Sequence, residues 1–212
     1  MKKIRVAVLG ACGWMGRLHC DIYRNLRRRY GELPADIELS FLVGTTESSV
    51  AAAAKELGVG KYGTDWREAI SDPDVDLVDI CLPDALDYEV AKAALDAGKH
   101  VYCEKPFTDD VEQAAELVGL ARQRGVITRV GHNFPINPVH RLAKSIIDAG
   151  QIGDITMFKF EQHVDSLADP QSPFIWRLDA SKAPTGIVGD TGSHVFSFID
   201  FLIGSIDEVN AT

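Results

Sequence analysis

Short apolar runs and polar, helix-spaced stretches alternate along the first two-thirds of the chain. Residues 4–10 (IRVAVLG) make a β-branched apolar run that stops at glycine, the pattern of a strand covered on both faces. Beyond it Met15, Leu18, Ile22 and Leu26 recur at helical spacing, with Arg17, Arg24 and Arg28 on the opposite side. The spacing predicts a helix whose Arg27-Arg28-Arg29 end is a solvated face. Further strands are predicted over 37–43, 75–82, 100–103 and 126–130, with helices over 48–57, 87–97 and 108–124 between them. Thr108 and Gly125 stand where a helix N-cap and C-cap belong. Asp79 departs from the pattern, because it falls inside a strand expected to be buried on both faces.

Regular β-α alternation with short connections predicts an α/β fold. Its core is a doubly wound parallel sheet with helices on both faces and a ligand crevice at the strands' carboxyl ends. The character changes after Gly131. Val139, Leu142, Ala143, Ile146 and Ile147 mark one amphipathic helix, and residues 154–162 read as a longer strand with partial alternation. A Pro-, Ser- and Asp-rich loop over 165–189 follows. Then comes a helix with Val195, Phe198, Ile199 and Leu202 on its stripe, and a strand-like end over 206–212. The expected division is a domain over 1–130 and the start of an α+β domain over 131–212.

Composition narrows the classes. The chain has 212 residues, 46% of them apolar, and a formal charge of −9, which disfavours nucleic acid and anionic membranes as partners. No apolar run is long enough to span a bilayer. The first residues run straight into a strand, and Cys12, Cys20, Cys81 and Cys103 show neither a close pair nor zinc spacing. Reduced thiols, no metal site and a cytoplasmic location are therefore expected.

Three segments carry candidate chemistry. Between the first strand and the first helix lies Gly10-Ala11-Cys12-Gly13-Trp14-Met15-Gly16. Glycines there allow a tight turn, close approach of a pyrophosphate and close packing of helix on strand, and the helix N-terminus offers free N–H groups to phosphate. A dinucleotide is the expected ligand. Where an NAD site usually places an acid after the second strand, this chain has Gly44, then Thr45, Thr46, Glu47 and Ser48. Loss of the acid and a row of hydroxyls tilt the expectation slightly towards NADP over NAD. The second segment is Glu104-Lys105-Pro106, placed at the carboxyl edge of a parallel strand. Far along the chain, Asp190 and His194 lie one helical turn apart.

Taken in order, these pieces resemble the glucose–fructose oxidoreductase / inositol dehydrogenase (Gfo/Idh/MocA-type) family. The resemblance rests on the glycine loop with Arg17 and His19 after it, the run from Val75 to Pro83, Ala97-Gly98-Lys99-His100-Val101 and Cys103-Glu104-Lys105-Pro106. Gly131-His132-Asn133, Ile152-Gly153-Asp154-Ile155, Trp176-Arg177 and Gly189-Asp190-Thr191-Gly192-Ser193-His194 complete it. It implies a Rossmann domain followed by an α+β domain whose sheet often forms the oligomer interface. It also implies hydride transfer between nicotinamide and a secondary alcohol of a sugar, cyclitol or related polyol.

Carried over by position, Lys105, Asp190 and His194 form the catalytic group. His194 would be the base, since an imidazole with an unperturbed pKa near 6.5 suits proton removal near neutrality. Asp190 would orient the substrate or stabilise the imidazolium, and Lys105 would stabilise a developing alkoxide. Pro83 and Glu104 would lie along the cofactor, with Pro106 as a cis peptide, and Asn133, His163, Trp176 and Arg177 on the substrate side. Three departures stand out: Asp87 where the family commonly has His, Pro135 where Arg often follows the Asn, and a shortened glycine run before Asp190. Two other activities are compatible with the resemblance: an NAD-dependent glycosidase and a non-catalytic cofactor-sensing regulator. Members of the family usually run longer, so the part after 130 reads as only the opening of the second domain.

Overall fold

The computed structural model describes residues 2–163, 165 and 168–211, and divides into two compact units, Met1–Gly131 and His132–Thr212. Within the first unit the strands are β1 (Lys2–Leu9), β2 (Ala35–Val43), β3 (Lys61–Gly63), β4 (Leu77–Ile80), β5 (His100–Cys103) and β6 (Thr128–Val130). The helices are α1 (Trp14–Tyr30), α2 (Glu47–Leu57), α3 (Trp66–Ser71), α4 (Asp87–Asp96) and α5 (Val111–Arg124). The strands form one parallel sheet in the order β3-β2-β1-β4-β5-β6. The order reverses at β1, so the crevice opens beyond the carboxyl ends of β1 and β4, as a doubly wound sheet requires.

Side-chain alternation splits the interior into two layers. Ala7, Leu9, Val43, Val78, Ile80, Val101 and Cys103 face α4 and α5, which contribute Val90, Ala94, Leu117 and Ala121. Val6, Val8 and Leu42 face the other way, towards Cys20 of α1 and Val50 and Ala54 of α2. Val6 to Leu9 are wholly buried, so each larger side chain there stabilises the fold by about 1.5–3 kcal/mol.

Several expectations need correction. Neither β3 nor α3 was anticipated; β3 has only three residues, two of them exposed, and carries no periodic signal. The cap of α5 is Asp110, whose carboxylate accepts from the N–H groups of Glu112 and Gln113 at 2.7 and 3.0 Å. Thr108 instead accepts from the N–H of Asp110. The buried face of α1 is Gly16, His19 and Cys20, whereas Leu18 is exposed.

The second unit contains α6 (Pro138–Asp148) and α7 (Ser193–Leu202), with a π-helical turn over Val188–Gly192 leading into α7. Asn137 caps α6 by accepting from the N–H of Val139 at 3.0 Å. The strands expected over 154–162 and 206–212 are not formed among the described residues, and Thr212 lies outside them. Alternation alone does not make a strand: its N–H and C=O groups need a neighbouring ladder, and none is present among the described residues of this unit.

Candidate active site

The first unit builds a phosphate cradle from the glycine loop. Gly10, at φ 82°, and Ala11 both donate their N–H to the carbonyl of Val43, and Gly13 donates to that of Gly10, so the turn is pinned to the carboxyl end of β2. A Cβ at Gly10 would stand 2.2 Å from the carbonyl oxygen of Cys81, and one at Gly16 2.1 Å from that of Gly10. Only glycine permits these approaches. The N-terminus of α1 begins at Gly13 with no side-chain cap and no acid in its first turn. Its N–H groups and positive dipole end are left to an anion. Around the turn Cys12 and Met15 are half-buried and Trp14 is exposed. These features fit a dinucleotide's pyrophosphate.

At the end of β2 a Cβ on Gly44 would meet Cys12 Sγ at 2.8 Å and Val50 Cβ at 2.9 Å, so no acid fits there without displacing both. Thr45 and Thr46 beside it are exposed, and the Thr46 hydroxyl donates to Ser49 Oγ at 2.7 Å.

The crevice wall beyond β4 and β5 is acidic and partly dry. Pro83 follows β4, the Lys105–Pro106 peptide is cis, and Glu104 N–H donates to the carbonyl of Ile80 at 2.9 Å. Gly131 leaves room for the Glu104 carboxylate: a Cβ there would lie 2.5 Å from Oε1. Burial raises the pKa of Glu104, opposed by the positive charges of His19 and Lys105. Lys105 itself is half-buried. Asp87 and Asp84 are buried beside them. Burial first, then the charges of Asp84 and Glu104, push Asp87 up to about 9, so its carboxyl is protonated at neutral pH.

Asp79 is paired within the interior. Its side chain points to the α1 layer, where the carboxylate accepts from His19 Nδ1 at 2.9 Å, from the Tyr23 hydroxyl and from Cys81 Sγ at 3.5 Å. Sequence reasoning named neither His19 nor Asp79 as site residues. The signals were there, an acid in a buried strand and a histidine on a helix face, but nothing local joins residues 60 positions apart.

In the second unit the turn over Val188–Gly192 carries Asp190, and His194 follows in the first turn of α7. Arg177 Nε lies 3.3 Å from Asp190 Oδ2, and the Arg177 guanidinium covers the Trp176 ring at 4.5 Å. Three of the expected residues, Trp176, Arg177 and Asp190, are thus brought together. The His194 ring stacks on Phe134 at 5.0 Å and 17°, and meets His132 edge-on at 5.8 Å. Phe134, which supports the His194 imidazole, also packs against His140 and Phe198. Asn133 and His163 are exposed.

Two family models match the chain: the oxidoreductase family with NAD-binding Rossmann fold (GFO_IDH_MocA) over residues 4–132, and the GFO/IDH/MocA C-terminal domain over residues 140–212. Levoglucosan dehydrogenase of Pseudarthrobacter phenanthrenivorans is 34% identical over 211 residues, covering 100% of this chain and 54% of that protein. The 1,5-anhydro-D-fructose reductase of Ensifer adhaerens is 33% identical over 166 residues, 78% of this chain and 49% of its own. Among solved structures, levoglucosan dehydrogenase in complex with NADH and levoglucosan superposes with a TM-score of 0.88 at 32% identity, covering 96% of this chain and 55% of that one. The chain spans about half the length of these relatives. No helix among the described residues is long and apolar enough to cross a membrane.

Proposed function

Because the chain belongs to the Gfo/Idh/MocA oxidoreductase family, we propose that it is part of a nicotinamide-dependent oxidoreductase acting on a secondary alcohol of a sugar or related polyol. The observation that carries this reading is the open, glycine-lined N-terminus of α1, a seat for a pyrophosphate, with Lys105 on the same side of the sheet at the end of β5. A bound nicotinamide supplies the hydride acceptor or donor. The relatives' printed names, levoglucosan dehydrogenase and anhydrofructose reductase, support a sugar as the substrate class.

The chain's own residues then divide the work. His194 takes or returns the hydroxyl proton, and general base action of this kind contributes roughly 10²–10⁴-fold. Asp190, held by Arg177, orients the substrate or the imidazole. Lys105 stabilises negative charge on the alcohol oxygen. The cofactor reading leans slightly to NADP: Gly44 stands where an acid would repel a 2′-phosphate and the exposed Thr45 and Thr46 hydroxyls flank it, against the nearby Glu47, which opposes such a phosphate.

The test is a panel of anhydrosugars, sugars and cyclitols with NAD and with NADP, followed at the absorbance of reduced nicotinamide. One or more sugars should be turned over, and Lys105→Met and His194→Ala should each abolish turnover while dinucleotide affinity changes little. Undiminished activity in either variant would refute the role assigned to that residue.

A further inference from the structure

His19 lies one turn past the phosphate cradle, buried, with acids on both sides of its ring. Nδ1 is 2.9 and 3.1 Å from the two oxygens of Asp79, and Nε2 is 3.5 Å from Glu104 Oε1. The side chain of Asp79 is wholly buried and that of Glu104 only 13% exposed. An ionised carboxylate can only accept, so an imidazole that faces one at each nitrogen satisfies both by carrying two N–H groups. Two carboxylates on either side of one buried ring repel each other, and a positive charge between them offsets that repulsion. The ring is held from a third side by Tyr102, edge-on at 5.5 Å.

We propose that His19 is a positioning residue, a doubly protonated imidazole clamped between Asp79 and Glu104 that keeps the Glu104 carboxylate ionised and fixed beside Lys105. The carboxylate of Glu104 accepts the backbone N–H of Lys105, so its placement sets that of the residue read above as stabilising the alcohol oxygen. Asp79 anchors the relay from β4, α1 carries the cation, and Glu104 delivers the effect at the end of β5. The vacancy at Gly131, where a Cβ would collide with Oε1, completes the carboxylate's seat.

The ring faces Asp79 of β4 and Cys81 just after it, and Tyr102 of β5 and Glu104 just after it, while Cys20 and Tyr23 of α1 interact with Asp79. Burial disfavours the charged imidazole, but the Asp79 bond and the Asp79 and Glu104 charges outweigh it and raise its pKa. The Cys81 thiol and Tyr23 hydroxyl are pushed up by burial, and stay neutral.

The inference deepens the proposed function by assigning a residue that acts through Glu104 and Lys105, and its first test needs no substrate. Nitrogen-15 NMR of the wild-type protein should show both ring nitrogens of His19 protonated at pH 7, with a midpoint above the ordinary histidine value near 6.5. Asp79→Asn should lower that midpoint. A neutral His19 ring at pH 7, or stoichiometric uptake of added Zn²⁺ that strips its protons, would overturn the proposal.

The second test is kinetic, on whichever sugar the panel identifies. His19→Gln and Glu104→Gln should each lower kcat at least about tenfold with KM for the sugar within about threefold, and His19→Gln should leave affinity for the dinucleotide within the same range. The double variant should be no slower than the worse single one, the sign of residues acting as a unit. Losses that multiply, or a lowered melting temperature with kcat unchanged, would reduce His19 to a structural residue. If no sugar is turned over, the functional reading fails while the NMR result still stands or falls alone.

Discussion

Replacing Asp87 with asparagine removes a proton that the folded chain must hold and the unfolded chain does not. The carboxyl is 1% exposed at the start of α4, and its pKa rises from 3.8 to about 9 through burial and then through the charges of Asp84 and Glu104. Between those two values the native state binds one proton more than the unfolded state. Stability therefore falls as pH rises across this window, by about 1.4 kcal/mol for each pH unit. Asparagine has a similar shape and no proton to hold, so its stability carries no such slope. From pH 5.5 to pH 7.5 the variant should gain about 3 kcal/mol on the wild type. At about 2–4 °C per kcal/mol for a chain of this length, the difference in melting temperature should widen by about 5–10 °C. Thermal unfolding followed by circular dichroism at the two pH values measures it. A difference that stays constant with pH would refute the reasoning, because it would mean that Asp87 is ionised in the folded protein.

The cradle and its thiol give two more expectations. Gly16→Ala should cost at least about tenfold in dinucleotide affinity, about 1.4 kcal/mol. The nearest atoms to the new Cβ would be backbone atoms of Gly10 and Ala11, at 2.1 to 2.8 Å, whereas Gly60→Ala, with open space around it, should leave binding unchanged; fluorescence titration distinguishes the two. Maleimide should label Cys12 ahead of the other thiols, since Cys20 and Cys103 are buried with raised pKa values and burial also raises that of Cys81. Saturating NADP should slow the labelling, as peptide mass spectrometry would show.

Much of the first unit was legible because its strands are apolar on both faces and its helices begin and end on small or polar residues. The run over 4–10, the glycine loop and Gly125 at the end of α5 each encode their structure within a few residues. Features that depend on a distant partner were not legible. The apolar stripe assigned to α1 missed that its buried face is built around His19, because the reason lies on β4. Asp79 could be recognised as odd but not explained. Residues 154–162 alternate as a strand should, yet pairing is a property of two segments and the second is not among the described residues. At the candidate site, the glycine loop could be read from its neighbours in sequence. The ion pair between Arg177 and Asp190 spans the Pro- and Ser-rich loop and needed coordinates.

The two outer strands, β3 and β6, are three residues long, and this has a bearing on how the sheet behaves in a crowded solution. At about 3.3 Å per residue, each offers only ~10 Å of open ladder to a passing chain. The part of β2 that β3 leaves uncovered, residues 35–40, bears Asp36 and Glu38, which engage Arg27 and Lys3 at 3.4 and 2.7 Å. Lys61, on β3, is tied down by Asp72 and Asp74. Short, charged borders of this kind discourage edge-to-edge stacking into aggregates. A sheet whose inner strands are among the most apolar segments of the chain thus presents little edge on which a copy of itself could pair.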